Sequence, residues 1–183
     1  MNSNQIMNEL LKSRVAFSEI QVPQKSGIYA IFLKPGVEFL GNGIGANGLI
    51  YIGMSSNLYN REFNDHFESK NTGFSTLRRS IGAVFKEKFS LRAIPRGTGP
   101  SESNFRCYCF KPEDEEKITA WMRVNLDIGA CSIGAADLKK VEAELIKEYM
   151  PLLCLKGWNN PFRKHIKELR KRCADEAQNY KHL

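Results

Sequence analysis

Four side chains suited to handling a phosphate ester fall in one stretch of this chain. Tyr29 closes the triplet Gly27-Ile28-Tyr29, and Tyr51 opens the triplet Tyr51-Ile52-Gly53. Arg61 and His66 follow in REFNDHF. A guanidinium fork matches two phosphate oxygens at once, and an imidazole moves protons near neutral pH. A phenol donates or accepts a hydrogen bond. Taken singly, none is diagnostic. Arg61 has Asp65 at i+4 as a surface ion-pair partner, and a lone histidine such as His66 is more often structural.

A fifth candidate is acidic. In the segment 136–149 the apolar residues are Leu138, Val141, Leu145, Ile146 and Tyr149, at offsets 3, 7, 8 and 11 from Leu138. The missing member of that helical stripe is offset 4, which is Glu142. Glu142 is therefore expected to face inward, while Glu144, about 200° further round, faces solvent. An inward carboxylate without a partner costs several kcal/mol or is neutralised by a raised pKa. A divalent cation would supply that partner; so would an arginine such as Arg61 or Arg79.

The elements that must position these groups are legible. Residues 27–34 and 49–54 are rich in Ile, Leu, Tyr and Phe, are bounded by Gly, Pro and Asn, and read as strands. Between them, residues 34–48 form a glycine-rich loop that matches no dinucleotide or P-loop fingerprint. A helix over 57–67 would carry Arg61 and His66. Five residues apart, these lie about 140° around it, able to border one cleft without sharing a stripe.

The order GIY, loop, YIG, then SSNLYNR resembles the GIY-YIG nuclease superfamily, over about residues 26–160. The resemblance implies a small α+β fold: an antiparallel sheet with three strands at its core, flanked by helices. Extra short strands and a basic C-terminal helix would be added here. It also implies a metal-dependent endonuclease that hydrolyses DNA phosphodiester bonds. The family carries one metal-binding glutamate on a helix, in a setting like E-x-x-L-I-K followed by Pro and then Asn. Glu142 heads EAELIKEYMP, with Leu145, Ile146, Lys147 and Pro151 in register.

By that match Glu142 holds one divalent ion per site, Mg2+ or Mn2+. Tyr29 serves as general base on water, relayed by His66. Arg61 stabilises the phosphate in transition and Tyr51 orients it. Double-stranded DNA is the implied partner, and a homodimer is one way for a single site to cut both strands. Two departures stand out. The family's Asn, three residues beyond the proline, falls at Cys154, with Asn159 and Asn160 downstream. Met54 follows YIG where many relatives carry lysine. The Cys154 departure keeps open a non-catalytic nucleic-acid-binding module on the same scaffold.

The rest of the chain fits a polyanion partner. Net charge is +7 over 183 residues, and from Lys139 onward eleven Lys and Arg face six Asp and Glu. In FSTLRRSIGAVF the buried side is Leu77, Ile81, Val84 and Phe85, which sends Arg78 and Arg79 to solvent or to a phosphate backbone. Arg96 sits in a Gly/Ser/Pro loop. A tail helix from about Pro161 sets Arg163, Lys164 and Lys167 around an apolar side of Phe162, Ile166, Leu169 and Cys173. These cations, with Asn159 and Asn160, are the candidate nucleic-acid contacts.

Residues 105–110 read as a strand, 112–116 as an acidic helix start favoured by the helix dipole, and VNLDIGACSI as a further strand. A short amphipathic helix is expected over 3–12. Five cysteines, an odd number without a CxxC, point to a reduced, cytoplasmic protein. A zinc set of Cys154, His165 and Cys173 matches no common spacing. No apolar run approaches the roughly 18 residues of a membrane helix. No basic start with an apolar block marks a secretory signal. The expected organisation is one domain over 1–183, with its core at 26–160 and helical extensions at 3–12 and 161–178.

Overall fold

The computed structural model of the chain describes residues 1–19, 23–41, 47–60 and 72–180. In chain order the elements begin with helix α1 (Ser3–Lys12) and strands β1 (Val15–Ala16), β2 (Gly27–Leu33) and β3 (Leu49–Ser55). The single turn α2 (Leu58–Asn60), helix α3 (Thr76–Phe85), strand β4 (Ala93–Ile94) and helix α4 (Glu102–Arg106) follow. Strand β5 (Cys109–Phe110), helix α5 (Pro112–Asn125), strand β6 (Leu126–Ser132) and helices α6 (Leu138–Tyr149) and α7 (Arg163–Gln178) complete the order. They form two compact units: Met1–Asn64 with Met122–Pro161, and Asp65–Trp121 with Phe162–Leu183.

The first unit is an antiparallel sheet in the order β1-β6-β2-β3. The three expected strands are there, and β1 adds a fourth by pairing Val15 with Ile128 and Ala16 with Asp127. Central position explains the composition of β2. All seven residues of GIYAIFL are buried, so the strand is continuously apolar rather than alternating. Ile28, Ala30 and Phe32 meet Ile6, Met7 and Leu10 of α1 and Leu138 and Leu145 of α6 in one core cluster. An Asn2–Gln5 capping box starts α1.

Arg14 fastens the base of the glycine-rich loop. Its Nε meets Asp127 at 2.9 Å, Nη1 donates to the Asn47 carbonyl and Nη2 to that of Leu33, both at 3.1 Å. The open edge of β3 is closed by the chain after α6: the Leu153 amide donates to the Ile50 carbonyl at 2.7 Å. An edge strand left bare would invite pairing with another chain.

In the second unit, Ser75 caps α3 by accepting from the Arg78 amide. Two expectations are corrected there. Residues 105–110 are not one strand: α4 ends at Arg106, and only Cys109 and Phe110 pair, with Ile94 and Ala93. The amide of Cys107 donates to the Ser103 carbonyl and that of Tyr108 to the Phe105 carbonyl, so local turns take donors a strand would need. Arg78 and Arg79 do not point to solvent; both are buried.

The acidic start of α5 stands where expected, and it has a further task, since Asp114 and Glu115 are buried. Arg78 Nη2 meets Glu115 Oε2 at 2.7 Å. The Thr72 hydroxyl and amide and the Phe110 amide donate to the same carboxylate. Asp114 accepts from the Arg92 amide and from Lys117 Nζ. Every donor these carboxylates need lies within the unit, which is why a fully inward pair is tolerable.

Candidate active site

The two triplets lie side by side. In the β2–β3 ladder Tyr29 is opposite Gly53, and Ile31 is opposite Tyr51. Cross-strand partners share a face, so both tyrosines project from the same side. Their ring centroids are 6.1 Å apart and the planes are tilted by 32°. Gly53 is required by Tyr29. A Cβ built there would lie 2.4 Å from both the ring carbon Cζ and the phenol oxygen. The glycine of YIG thus makes room for the tyrosine of GIY, and the two triplets are one steric unit. Tyr29 is 1% exposed, while Tyr51 is half-buried.

Helix α6 carries the acidic candidate. Leu138 and Leu145 are buried, with Val141, Ile146 and Tyr149 packed against the core. Glu142 is half-buried on this helix and Glu144 is exposed. Asp137 stands at the N-cap but makes no side-chain cap bond. A 3-10 turn over Ala135–Asp137 runs straight into the helix and holds Asp137 in helical geometry. The helix ends in a left-handed Met150 (φ 50°) ahead of Pro151, which cannot extend it.

Cys154, at the position where an asparagine was anticipated, has a definite structural task. Its Sγ accepts from the Ile52 amide at 3.4 Å and donates to the Ile52 carbonyl at 3.3 Å. Ile52 is the middle residue of Tyr51-Ile52-Gly53, so the thiol clips the outer edge of that triplet. A carboxamide also offers one acceptor and one donor, so the exchange of Asn for Cys preserves this bonding pattern. Burial pushes the thiol up to about 12; the Ile52 bond opposes this and the charge of Glu142 adds to it. Glu142 is thereby within electrostatic reach of the residue locked onto the Tyr51 strand. In the sequence the one trace of this clip is the register after Pro151.

Asn160 is buried, and its Nδ2 donates to the carbonyls of Leu152 at 2.8 Å and Cys154 at 3.2 Å. Trp158 Nε1 donates to the Cys154 carbonyl as well, at 2.9 Å. Asn160 therefore shapes the turn behind Cys154, while Asn159 is exposed. Arg61 and His66 lie outside the described residues. Arg78 and Arg79 are inside the second unit, Arg96 is half-buried, and Arg163, Lys164 and Lys167 are exposed on α7.

Among the described residues no three His, Cys, Asp or Glu side chains are grouped to hold a metal ion. Nor is any described helix long and apolar enough to cross a membrane. A half-buried helix carboxylate is a hard oxygen donor, which suits Mg2+ better than a thiol- or imidazole-seeking metal. That ion keeps several waters and takes its remaining ligands from substrate phosphates.

Known proteins were compared with the chain. The model of the GIY-YIG catalytic domain matches residues 27–172. No curated protein matches, and no solved structure does.

Proposed function

The chain belongs to the GIY-YIG catalytic-domain family, and from that premise we propose that it is a metal-dependent endonuclease acting on DNA phosphodiester bonds. The observation that carries this reading is the Tyr29–Tyr51 pair set over Gly53. The half-buried Glu142 stands on a helix packed into the same core and supports it.

Phosphodiester hydrolysis needs a nucleophile, charge stabilisation and help for the leaving group. Glu142 is the residue that would hold one Mg2+ or Mn2+. When bound, such an ion supplies Lewis-acid stabilisation of phosphoryl charge. The chain's own residues do the rest. Tyr29 takes a proton from water, with His66 as relay. Tyr51 donates a hydrogen bond that orients the phosphate, and Arg61 neutralises the charge that grows on it. The cations of α7 hold the DNA backbone, each contact steepening the salt dependence by about 0.9. Double-stranded DNA, a reducing cytoplasmic setting for the five free thiols, and pairing of two copies for double-strand cuts complete the proposal.

The test is nicking of supercoiled plasmid with Mg2+ and with EDTA, by wild type and Glu142→Ala. Wild type is expected to nick only with metal. The variant is expected to lose cleavage while keeping the wild-type circular dichroism and melt. A folded variant that cuts at the wild-type rate would remove Glu142 from the reaction.

One observation favours a second reading. The Tyr29 phenol is buried, and a general base must meet water. A non-catalytic module that binds nucleic acid on this scaffold accounts for that burial, and metal-independent binding without nicking would establish it.

A further inference from the structure

The second unit holds a group of cations with no acidic partner among the described residues. Arg79 is 8% exposed, which is deep for a guanidinium. Its Nη1 donates to the carbonyls of Gly73 at 2.6 Å and Thr72 at 3.3 Å, and Nη2 to the Thr76 hydroxyl. Its Nε has no hydrogen-bond partner among the described residues. All these acceptors are neutral. Arg96 converges on the same turn: a Cβ at Gly73 would lie 2.7 Å from Arg96 Cγ and Cδ, so the arginine stem runs against that glycine. Its guanidinium lies 5.0 Å from the Phe74 ring centroid. Arg170 comes from α7, which packs on α3, α4 and β4.

No ion pair joins Arg79, Arg96 or Arg170 to a carboxylate among the described residues. Burial and the nearness of Arg170, then of Arg96, pull the Arg79 pKa down. Like charges gathered around a buried one are costly unless a counter-charge is brought by a ligand.

Phe74 supplies the second half of the argument. It is 58% exposed, one of the few large apolar side chains left open. It sits on the Thr72–Phe74 3-10 turn, with Arg96 against its ring. An exposed aromatic ring beside a cationic group suits the two parts of a nucleotide: the base stacks, and the phosphate meets the charge. A base inside a duplex has both faces occupied by its neighbours. Only an unpaired base has a face free for the ring.

We propose that the second unit binds an unpaired nucleotide, its base stacked on the Phe74–Arg96 platform and its phosphate held by Arg96 and Arg170 beside Arg79. The partner class rests on the nuclease reading. It narrows that reading to nucleic acid with a single-stranded portion, such as a flap, gap or junction. Phe74 selects for the unpaired base, and the arginines give affinity without sequence preference.

The experiment is fluorescence anisotropy with the full chain in EDTA, which suspends metal-dependent cutting. The probes are a labelled poly-thymidine strand and a fully paired duplex of equal length. Wild type, Phe74→Ala and Arg170→Gln are compared after their melts are matched. Phe74→Ala is expected to weaken single-strand binding about tenfold and duplex binding less than twofold. Arg170→Gln is expected to make the single-strand salt slope shallower by about 0.7.

Wild-type single-strand affinity in both variants would overturn the proposal. So would an equal loss on both probes, or full displacement of the strand by inorganic phosphate at matched ionic strength, which marks a free-anion site. The two readings fail separately. A protein that never nicks yet shows the Phe74 effect loses only the nuclease assignment. One that nicks with Mg2+ yet ignores Phe74 loses only this site.

Discussion

Glu142 in the first unit and Glu115 in the second occupy the same kind of place with different outcomes. Each stands on the apolar stripe of its helix: Glu142 at offset 4 from Leu138, and Glu115 ahead of Ile118 and Met122 at offsets 3 and 7. Glu115 is 1% exposed, and its carboxylate accepts from Arg78, from the Thr72 hydroxyl and amide, and from the Phe110 amide. Its lone pairs face donors of its own unit. Glu142 stays half-buried, shallower in its unit than Glu115 is in the other. Helical phase finds carboxylates that turn inward. Depth of burial and the supply of internal donors then mark the one that builds the fold.

The largest effect should come from breaking the structural member of this pair. Glu115→Ala leaves the Arg78 guanidinium inside without its counter-charge, and removing one partner of a buried pair costs about 3–5 kcal/mol. Urea unfolding should show that loss, and Arg78→Met a similar one. Replacing both by apolar residues should recover much of it, because the desolvation cost disappears along with the attraction. Glu142→Ala should leave the midpoint nearly unchanged. A Glu115→Ala protein within about 1 kcal/mol of wild type would erase the distinction between the two glutamates.

How far the sequence went follows the same division. In the first unit the strand signals agree with the global fold, while most of the helix expected over 57–67 lies outside the described residues. Two strands, the helices at 3–12 and 138–149, and a third strand within VNLDIGACSI stand where periodicity and turn residues put them, although Asp137 does not cap its helix. The second unit was read less well because its interior is ionic. Arg78 leads Ile81 and Phe85 by offsets 3 and 7, the same phase that marked Glu142. Applied evenly, that phase would have turned Arg78 inward and sought an acid on a neighbouring helix stripe. Arginine and glutamate read as surface by type, and only their phase contradicts it. The two-residue strand β1 is beyond periodicity, since two residues do not define an alternation.

A middle-sized effect tests how the first unit holds its tyrosine strand. Cys154→Ala strips the Ile52 amide and carbonyl of their side-chain partner inside the core, which should cost about 1–3 kcal/mol. Cys154→Asn restores a donor and an acceptor there, so it should melt at or above wild type and keep cleavage. The reverse order, with Ala tolerated and Asn disruptive, would show that the thiol fills volume and does not clip the strand edge.

The smallest effect is invisible at neutral pH and compares the units through their buried thiols. Burial pushes Cys154 in the first unit up to about 12 and Cys173 in the second up to about 11, from an ordinary 9. The Tyr108 hydrogen bond works against the shift at Cys173. Both folded values lie above the unfolded one, so the folded chain binds more protons in between. The contribution of each thiol is therefore whole below about pH 9 and is lost as pH rises, through about 11 for Cys173 and about 12 for Cys154. Melts at stepped pH should be flat across neutrality and fall above 9, by at most about 1.4 kcal/mol per pH unit for each thiol. Cys173→Ala should flatten the slope mainly between 9 and 11, and Cys154→Ala should leave a slope that levels off sooner. A wild-type melt that stays level to pH 11 would mean that neither thiol is held away from water in the folded chain.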